Sequence, residues 1–267
     1  MKLLLLFAAT MLNMTPSFSQ TPKKTETVTL NGTNIHYEVY GKGEPLFLLH
    51  GYTQSSKYWV PYLADYVNDF EVYLVDLKGH GKSSPFTETL SIKAAARDIE
   101  ALITYLKLDS IKAIGHSYGG DVLFQLAILR PELIKSMITI GACGTWNAKD
   151  YPDVTKFLSY KNINDLKWMR EQQTNETQIQ AILDQLPNYQ ISISKTELKT
   201  IQTKTLMVFG DHDNMIPLEC VSSVRRNLPT SYLWILPNTG HGAHEGKNRQ
   251  QFVKTSNDFF RYPWKTD

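Results

Sequence analysis

The amino-acid sequence predicts an α/β protein with a mostly parallel sheet of eight strands covered by helices on both faces. Three observations lead there. Several short apolar runs bounded by turn residues read as strands buried on both sides. Amphipathic helical patterns alternate with those runs, which is the order of a sheet wound between two helical layers. The first two strand-like segments instead alternate apolar and polar residues, as an antiparallel edge does.

Taken along the chain, Thr25 to Leu30 and Ile35 to Tyr40 are the alternating pair, and Asn31-Gly32 between them suits a tight hairpin turn. Leu46 to His50, Val72 to Val75, Ile111 to Ile114, Met137 to Ile140, Thr205 to Phe209 and Tyr232 to Leu236 are the continuous apolar runs. Ser91 to Leu106 sets Ile92, Ala95, Ile99, Leu102, Ile103 and Leu106 on one stripe at helical spacing. Gly120 to Leu129 and Gln250 to Phe260 repeat that pattern. From Gly144 to about Ser194 no strand is evident, and the segment is polar and helical with aromatic insertions. It reads as a helical cap inserted at 144–194 into a core domain formed by 20–143 and 195–267.

Composition narrows the function. The chain has 267 residues, 42% hydrophobic and 20% charged, so it can bury a sizeable core without staples. A net charge of +2 with scattered Lys and Arg does not make the clustered basic footprint of a nucleic-acid binder. Two cysteines, Cys143 and Cys220, are too few for a disulfide scaffold and lack zinc-ligand spacing. Residues 1–19 carry Lys2, an apolar run from Leu3 to Leu12, and Ser17-Phe18-Ser19 before Gln20. That is the layout of a secretory signal peptide cut between Ser19 and Gln20. The run is too short to span a bilayer, which takes about 20 residues, so no membrane anchor is expected. Export to the periplasm or medium would permit a Cys143–Cys220 disulfide, although the sequence does not show whether the two meet.

The chemistry concentrates where a strand runs into a helix. Gly115-His116-Ser117-Tyr118-Gly119-Gly120 follows one buried strand. A nucleophile on a sharp strand-to-helix turn needs small residues on both sides, and Gly115 and Gly119 provide them. The same turn puts the Tyr118 amide at a helix N-terminus, where backbone donors are unpaired and negative charge is favoured. A serine hydroxyl needs a base, itself oriented by an acid. His36 alternates within an early strand, and His116 is expected to point away from the turn. His241 and His244 follow the last strand, at the sheet edge from which a loop can reach the serine. Gly210-Asp211-His212-Asp213 directly follows another strand, and its two aspartates are equivalent on chemistry alone. The order Ser, Asp, His along the chain is that of hydrolases built on such a sheet. The histidine and acidic clusters lack the HExxH pattern of a helical zinc site, and neither a metal nor a cofactor is expected.

With these motifs in order, the sequence resembles the α/β-hydrolase superfamily, in its small single-cap branch of esterases, haloperoxidase-like enzymes and C–C hydrolases. The resemblance covers about residues 28–261. It implies Ser117 as nucleophile, His241 as base and Asp213 as acid, with Asp211 in reserve and His244 as the second histidine of the loop. His50-Gly51-Tyr52-Thr53 is similar to the family's oxyanion loop, which implies that the Tyr52 and Tyr118 amides receive the oxyanion. Asp76 to Ser83 is similar to its structural turn. Haloalkane dehalogenases and epoxide hydrolases of this fold use an aspartate nucleophile, whereas this chain has Ser117.

The expectation is therefore a serine hydrolase working through an acyl-enzyme on a small or medium apolar ester. Trp146 and Trp168 of the cap are the candidate substrate-binding residues. A C–C (diketone) hydrolase, a perhydrolase, and a slow small-molecule receptor on the same fold are the alternatives. Substrate identity and oligomeric state are left open by the sequence.

Overall fold

The computed structural model describes residues 21–264; the expected signal peptide, 1–19, lies outside them. The sheet strands are β1 (Lys24–Leu30), β2 (Thr33–Gly41), β3 (Glu44–Leu49), β4 (Phe70–Val75), β5 (Ile111–His116), β6 (Ile134–Ile140), β9 (Lys204–Gly210) and β10 (Ser231–Leu236). Two further strands, β7 (Thr145–Asn147) and β8 (Gln190–Ser192), pair only with each other. The helices are α1 (Leu63–Tyr66), α2 (Ile92–Tyr105), α3 (Tyr118–Leu129), α4 (Pro152–Phe157), α5 (Lys167–Gln172), α6 (Glu176–Gln185), α7 (Lys195–Thr200), α8 (Leu218–Asn227) and α9 (Arg249–Arg261).

The eight-stranded sheet runs β1-β2-β4-β3-β5-β6-β9-β10. The six strands from β4 to β10 are parallel, while β1 and β2 form the antiparallel edge. The turn joining that edge pair places Asn31 at φ 51° and Gly32 at φ 78°. Two consecutive positive φ values match the right-handed strand twist, and asparagine and glycine tolerate them best.

Strand pleating explains why the central runs are apolar without interruption. Phe47 and Leu49 face a core closed by α2, α3, α7 and α8, where Ile99, Leu102, Val122, Leu123, Leu198 and Val221 are buried. Their neighbours Leu46 and Leu48 face a second core closed by α1 and α9 with Trp59, Tyr66, Phe252 and Phe259. Successive side chains thus enter opposite hydrophobic layers, and each fully buried large side chain contributes about 1.5–3 kcal/mol. On α2 the predicted stripe is the buried one, and the Ser91 side chain caps the helix by accepting from the Ala94 amide at 3.2 Å.

The strand order reverses at β3, because the chain steps to β4 on one side and then to β5 on the other. In open parallel sheets that switch point opens a crevice at the carboxyl ends of the strands. Here those ends carry His50-Gly51-Tyr52 and His116-Ser117.

Between β6 and β9 the chain leaves the sheet. The segment contains α4, α5 and α6, with a small core of Leu166, Met169, Ile179, Ile182 and Leu183. The expectation that it lacks strands is corrected, since β7 and β8 form a short antiparallel ribbon at its two ends, pairing Thr145 with Ser192 and Asn147 with Gln190. Strands of three residues are too short to set up a readable alternation. Cys143 and Cys220 are bridged, with Cα atoms 6.8 Å apart, which ties the chain leaving β6 to α8.

Candidate active site

Ser117 sits between β5 and α3 with φ 48° and ψ −114°. A non-glycine residue in this region costs on the order of 1–3 kcal/mol, and the surrounding contacts hold it there. The Ser117 amide donates to the Ile140 carbonyl at 2.7 Å, and the Ser117 carbonyl accepts from Asp121 at 3.0 Å. A Cβ on Gly115 would lie 2.5 Å from the Gly119 carbonyl, and a Cβ on Gly119 would lie 2.5 Å from the Leu49 carbonyl oxygen. Both glycines are required by close backbone approach at the turn. At the first position of α3, the Tyr118 amide has no intrahelical acceptor.

His241 lies in the loop after β10, and its Nδ1 is 2.8 Å from Asp213 Oδ2. The other Asp213 oxygen accepts from the Met215 and Ile216 amides at 2.9 and 3.1 Å. These two bonds fix the carboxylate within the turn after β9, with 1% of its side chain exposed. Burial disfavours the charged imidazole of His241, but the Asp213 charge and hydrogen bond outweigh it and raise the pKa above the ordinary histidine value. With Nδ1 engaged, Nε2 is the ring atom left without a hydrogen-bond partner. The structure also separates the two aspartates of the acid loop. Asp211 is turned toward the backbone and accepts from the Thr239 amide at 3.1 Å, joining the loops that follow β9 and β10.

The two histidines of the last loop have different environments. His244 is fully buried among Trp59, Tyr62 and Phe252, and its Nε2 is 2.9 Å from the Tyr58 hydroxyl. Burial, and then the proximity of His241, push its pKa down to about 3, so it stays neutral. Tyr58 in turn donates to Glu245. His116 departs from expectation. Its ring lies 5.3 Å from that of His241 and 5.0 Å from that of His244, and it lines the same cavity as Ser117. As the last residue of β5 it sits at the sheet's carboxyl edge, where the loop after β10 folds over it.

One cavity collects Ser117, His241, Tyr52, Trp146 and Trp168. Asp213 stands behind His241, and the Tyr118 side chain is buried beneath Tyr52 and Tyr189 with ring centres 5.6 Å from each. Leu158, Leu186, Met215 and Ile216 supply apolar wall, and Gln54, His116, Asp121 and Tyr189 supply polar groups.

Several of these residues are not evident from sequence. Gln54 accepts from the Gly51 amide at 2.8 Å, shaping the loop that presents Tyr52. Gln173, only 5% exposed, donates to the Thr53 and Gln54 carbonyls at 3.0 and 2.9 Å and accepts from the Gly81 amide at 2.8 Å. Tyr52 donates to the Ile182 carbonyl of α6 at 2.7 Å. The segment between β6 and β9 thus grips the Tyr52 loop from above. No motif marks Gln173, because its partners are backbone atoms more than ninety residues away for Gly81 and more than a hundred for the Tyr52 loop. Asp121 had one available signal, an acid in the first turn of a mostly apolar helix.

Comparison with known proteins agrees with this architecture. Residues 44–167 match the family model for the alpha/beta hydrolase fold. The carboxylesterase CesB of Bacillus subtilis superposes with a TM-score of 0.73 at 21% identity, over 89% of this chain and 91% of that one. The chain has the α/β-hydrolase fold. Among sequence relatives, a soluble epoxide hydrolase of Corynebacterium sp. is 32% identical over 111 residues, 42% of this chain and 39% of that protein. The chain spans about two fifths of the length of the first curated relatives it matches. A putative carbamate hydrolase, RutD, of Stutzerimonas stutzeri is 26% identical over 239 residues, 78% of this chain and 90% of that one.

Proposed function

We propose that the chain is a serine hydrolase of carboxylic esters in which Ser117, His241 and Asp213 form the catalytic triad. The observation that carries the proposal is the joint placement of Ser117, on its strained turn, and a His241–Asp213 pair at one cavity. His241 Nε2 accepts the Ser117 proton as the hydroxyl oxygen attacks the ester carbonyl. Asp213 fixes the tautomer that leaves Nε2 free and stabilises the imidazolium that forms. The Tyr52 and Tyr118 amides receive the oxyanion, and each such donor contributes roughly 3–4 kcal/mol to the transition state. His241 then protonates the departing alcohol. Water, deprotonated by the same histidine, releases the acyl group and regenerates Ser117.

The segment between β6 and β9 acts as the cap. Trp146 and Trp168 give it an apolar inner surface suited to a small or medium acyl chain. Export fits the same reading, since the Cys143–Cys220 bridge belongs to an oxidising compartment.

Initial rates on p-nitrophenyl esters from acetyl to palmitoyl, with Ser117→Ala in parallel, test the proposal. The expected result is turnover with a chain-length optimum at short or medium acyl groups, abolished in a folded Ser117→Ala variant. Turnover that persists in that variant, or its absence from the wild type across the series, refutes the assignment.

A further inference from the structure

We propose that Asp121 makes the enzyme selective for substrates whose acyl chain carries a hydrogen-bond donor, a hydroxyl or an ammonium, on the carbon one or two bonds from the carbonyl. The inference rests on the serine-hydrolase reading for the placement of that carbonyl. Asp121 is four residues beyond Ser117, and its amide donates to the Ser117 carbonyl at 3.0 Å. Ser117 immediately precedes α3 and Asp121 lies in its first turn, and both line the same cavity. An acyl group attached to Ser117 therefore brings its first carbons within reach of the Asp121 carboxyl.

Asp121 is 3% exposed, yet it lines the cavity. One carboxyl oxygen accepts from the Gly144 amide at 3.1 Å and the other from the Tyr189 hydroxyl at 2.8 Å. A carboxylate offers about four acceptor positions, so two are unused. Among the described residues, none of the ion pairs includes Asp121. A buried ionised group without a cation is costly, and burial accordingly pushes its carboxyl up to about 7. Tying the root of the cap at Gly144 to Tyr189 does not require that charge. An asparagine would accept from the Gly144 amide with its oxygen and donate to the Tyr189 hydroxyl with its nitrogen. The carboxylate thus exceeds the structural need, and a donor on the bound acyl chain would fill its open positions.

Asp121→Asn separates the two roles because it keeps the tie and removes the charge. Three p-nitrophenyl esters provide the probe, those of butyric, 3-hydroxybutyric and 3-aminobutyric acid. In the wild type at least one donor-bearing ester should exceed the butyrate in kcat/KM by about tenfold or more, the range of a hydrogen bond to an ionised acceptor. Whichever of the two shows the excess identifies the donor. In Asp121→Asn the ratio should fall to within about twofold of unity. Calorimetric titration of Ser117→Ala, with and without Asp121→Asn, using the methyl esters of the same acids, reads the same preference without turnover. A ratio near unity in the wild type, or one that survives in Asp121→Asn, overturns the proposal. A tenfold binding preference lost with Asp121→Asn in a protein that hydrolyses none of the esters would sustain it and sink the hydrolase assignment instead.

Discussion

Replacing Gln173 by leucine tests whether the segment between β6 and β9 holds the proposed oxyanion loop in place. The leucine side chain is similar in size but cannot make the bonds to Thr53, Gln54 and Gly81. Two carbonyls and one amide lose a partner in a region where Gln173 itself is 5% exposed. At about 1 kcal/mol for each orphaned group, the low end of the usual range, the fold loses about 3 kcal/mol. For a chain of this size that lowers Tm by roughly 6–12 °C. The functional consequence is separate. Thr53 is held at φ 69°, and relaxation of that strained residue would turn the neighbouring Tyr52 amide away from its proposed oxyanion position. Complete loss of one such donor costs about 10²–10³-fold in kcat, and partial misalignment about tenfold. Calorimetric unfolding and steady-state ester kinetics below the variant's Tm read the two effects. The expected outcome is a lower Tm together with a tenfold fall in kcat and a KM within threefold of wild type. A kcat within twofold of wild type, with the Tm shift present, would refute the positioning argument and leave Gln173 a structural residue.

Other outcomes follow from the triad and the bridge. The proposed mechanism requires neutral His241, whose pKa is raised, so wild-type kcat/KM should climb with pH through a midpoint above the ordinary histidine value of about 6.5. Asp213→Asn removes the charge that raises it, so the acid limb should move to lower pH while kcat falls by about 10⁴-fold, as read in a pH–rate profile. Cys143 and Cys220 are 77 residues apart, and closing that loop stabilises the fold by about 4 kcal/mol in the chain-entropy account. The double Cys→Ser variant should therefore unfold roughly 8–16 °C earlier by calorimetry. An unchanged Tm would contradict the bridge's contribution.

The sheet was legible because its interior strands serve two cores at once. A run such as Leu46-Phe47-Leu48-Leu49 has no polar position to place, and pleating distributes it between the layers. The helices flanking β5 were legible by stripe and by glycine pattern. α8 was less so, because its acidic first turn and basic last turn surround only two buried side chains, Val221 and Val224. The ribbon of β7 and β8 was hidden by its brevity. At the site, Ser117 is marked by the glycines its turn requires, and the loop histidines and aspartates by their places after strands. Which aspartate meets His241 depends on loop conformation, with Asp213 inward and Asp211 on the Thr239 amide. The grip of Gln172, Gln173 and Gln178 on the Tyr52 loop and the Gly81 turn depends on how the cap docks, which no local pattern encodes.

The claim at the centre of this account is that Ser117 is a nucleophile activated by His241. A fluorophosphonate reacts covalently with such a serine, and intact-mass and peptide mass spectrometry locate the adduct. One label per chain is expected, on the peptide containing Ser117, with none in Ser117→Ala and slow labelling in His241→Ala. An unlabelled wild type, or a label retained in Ser117→Ala, would contradict it.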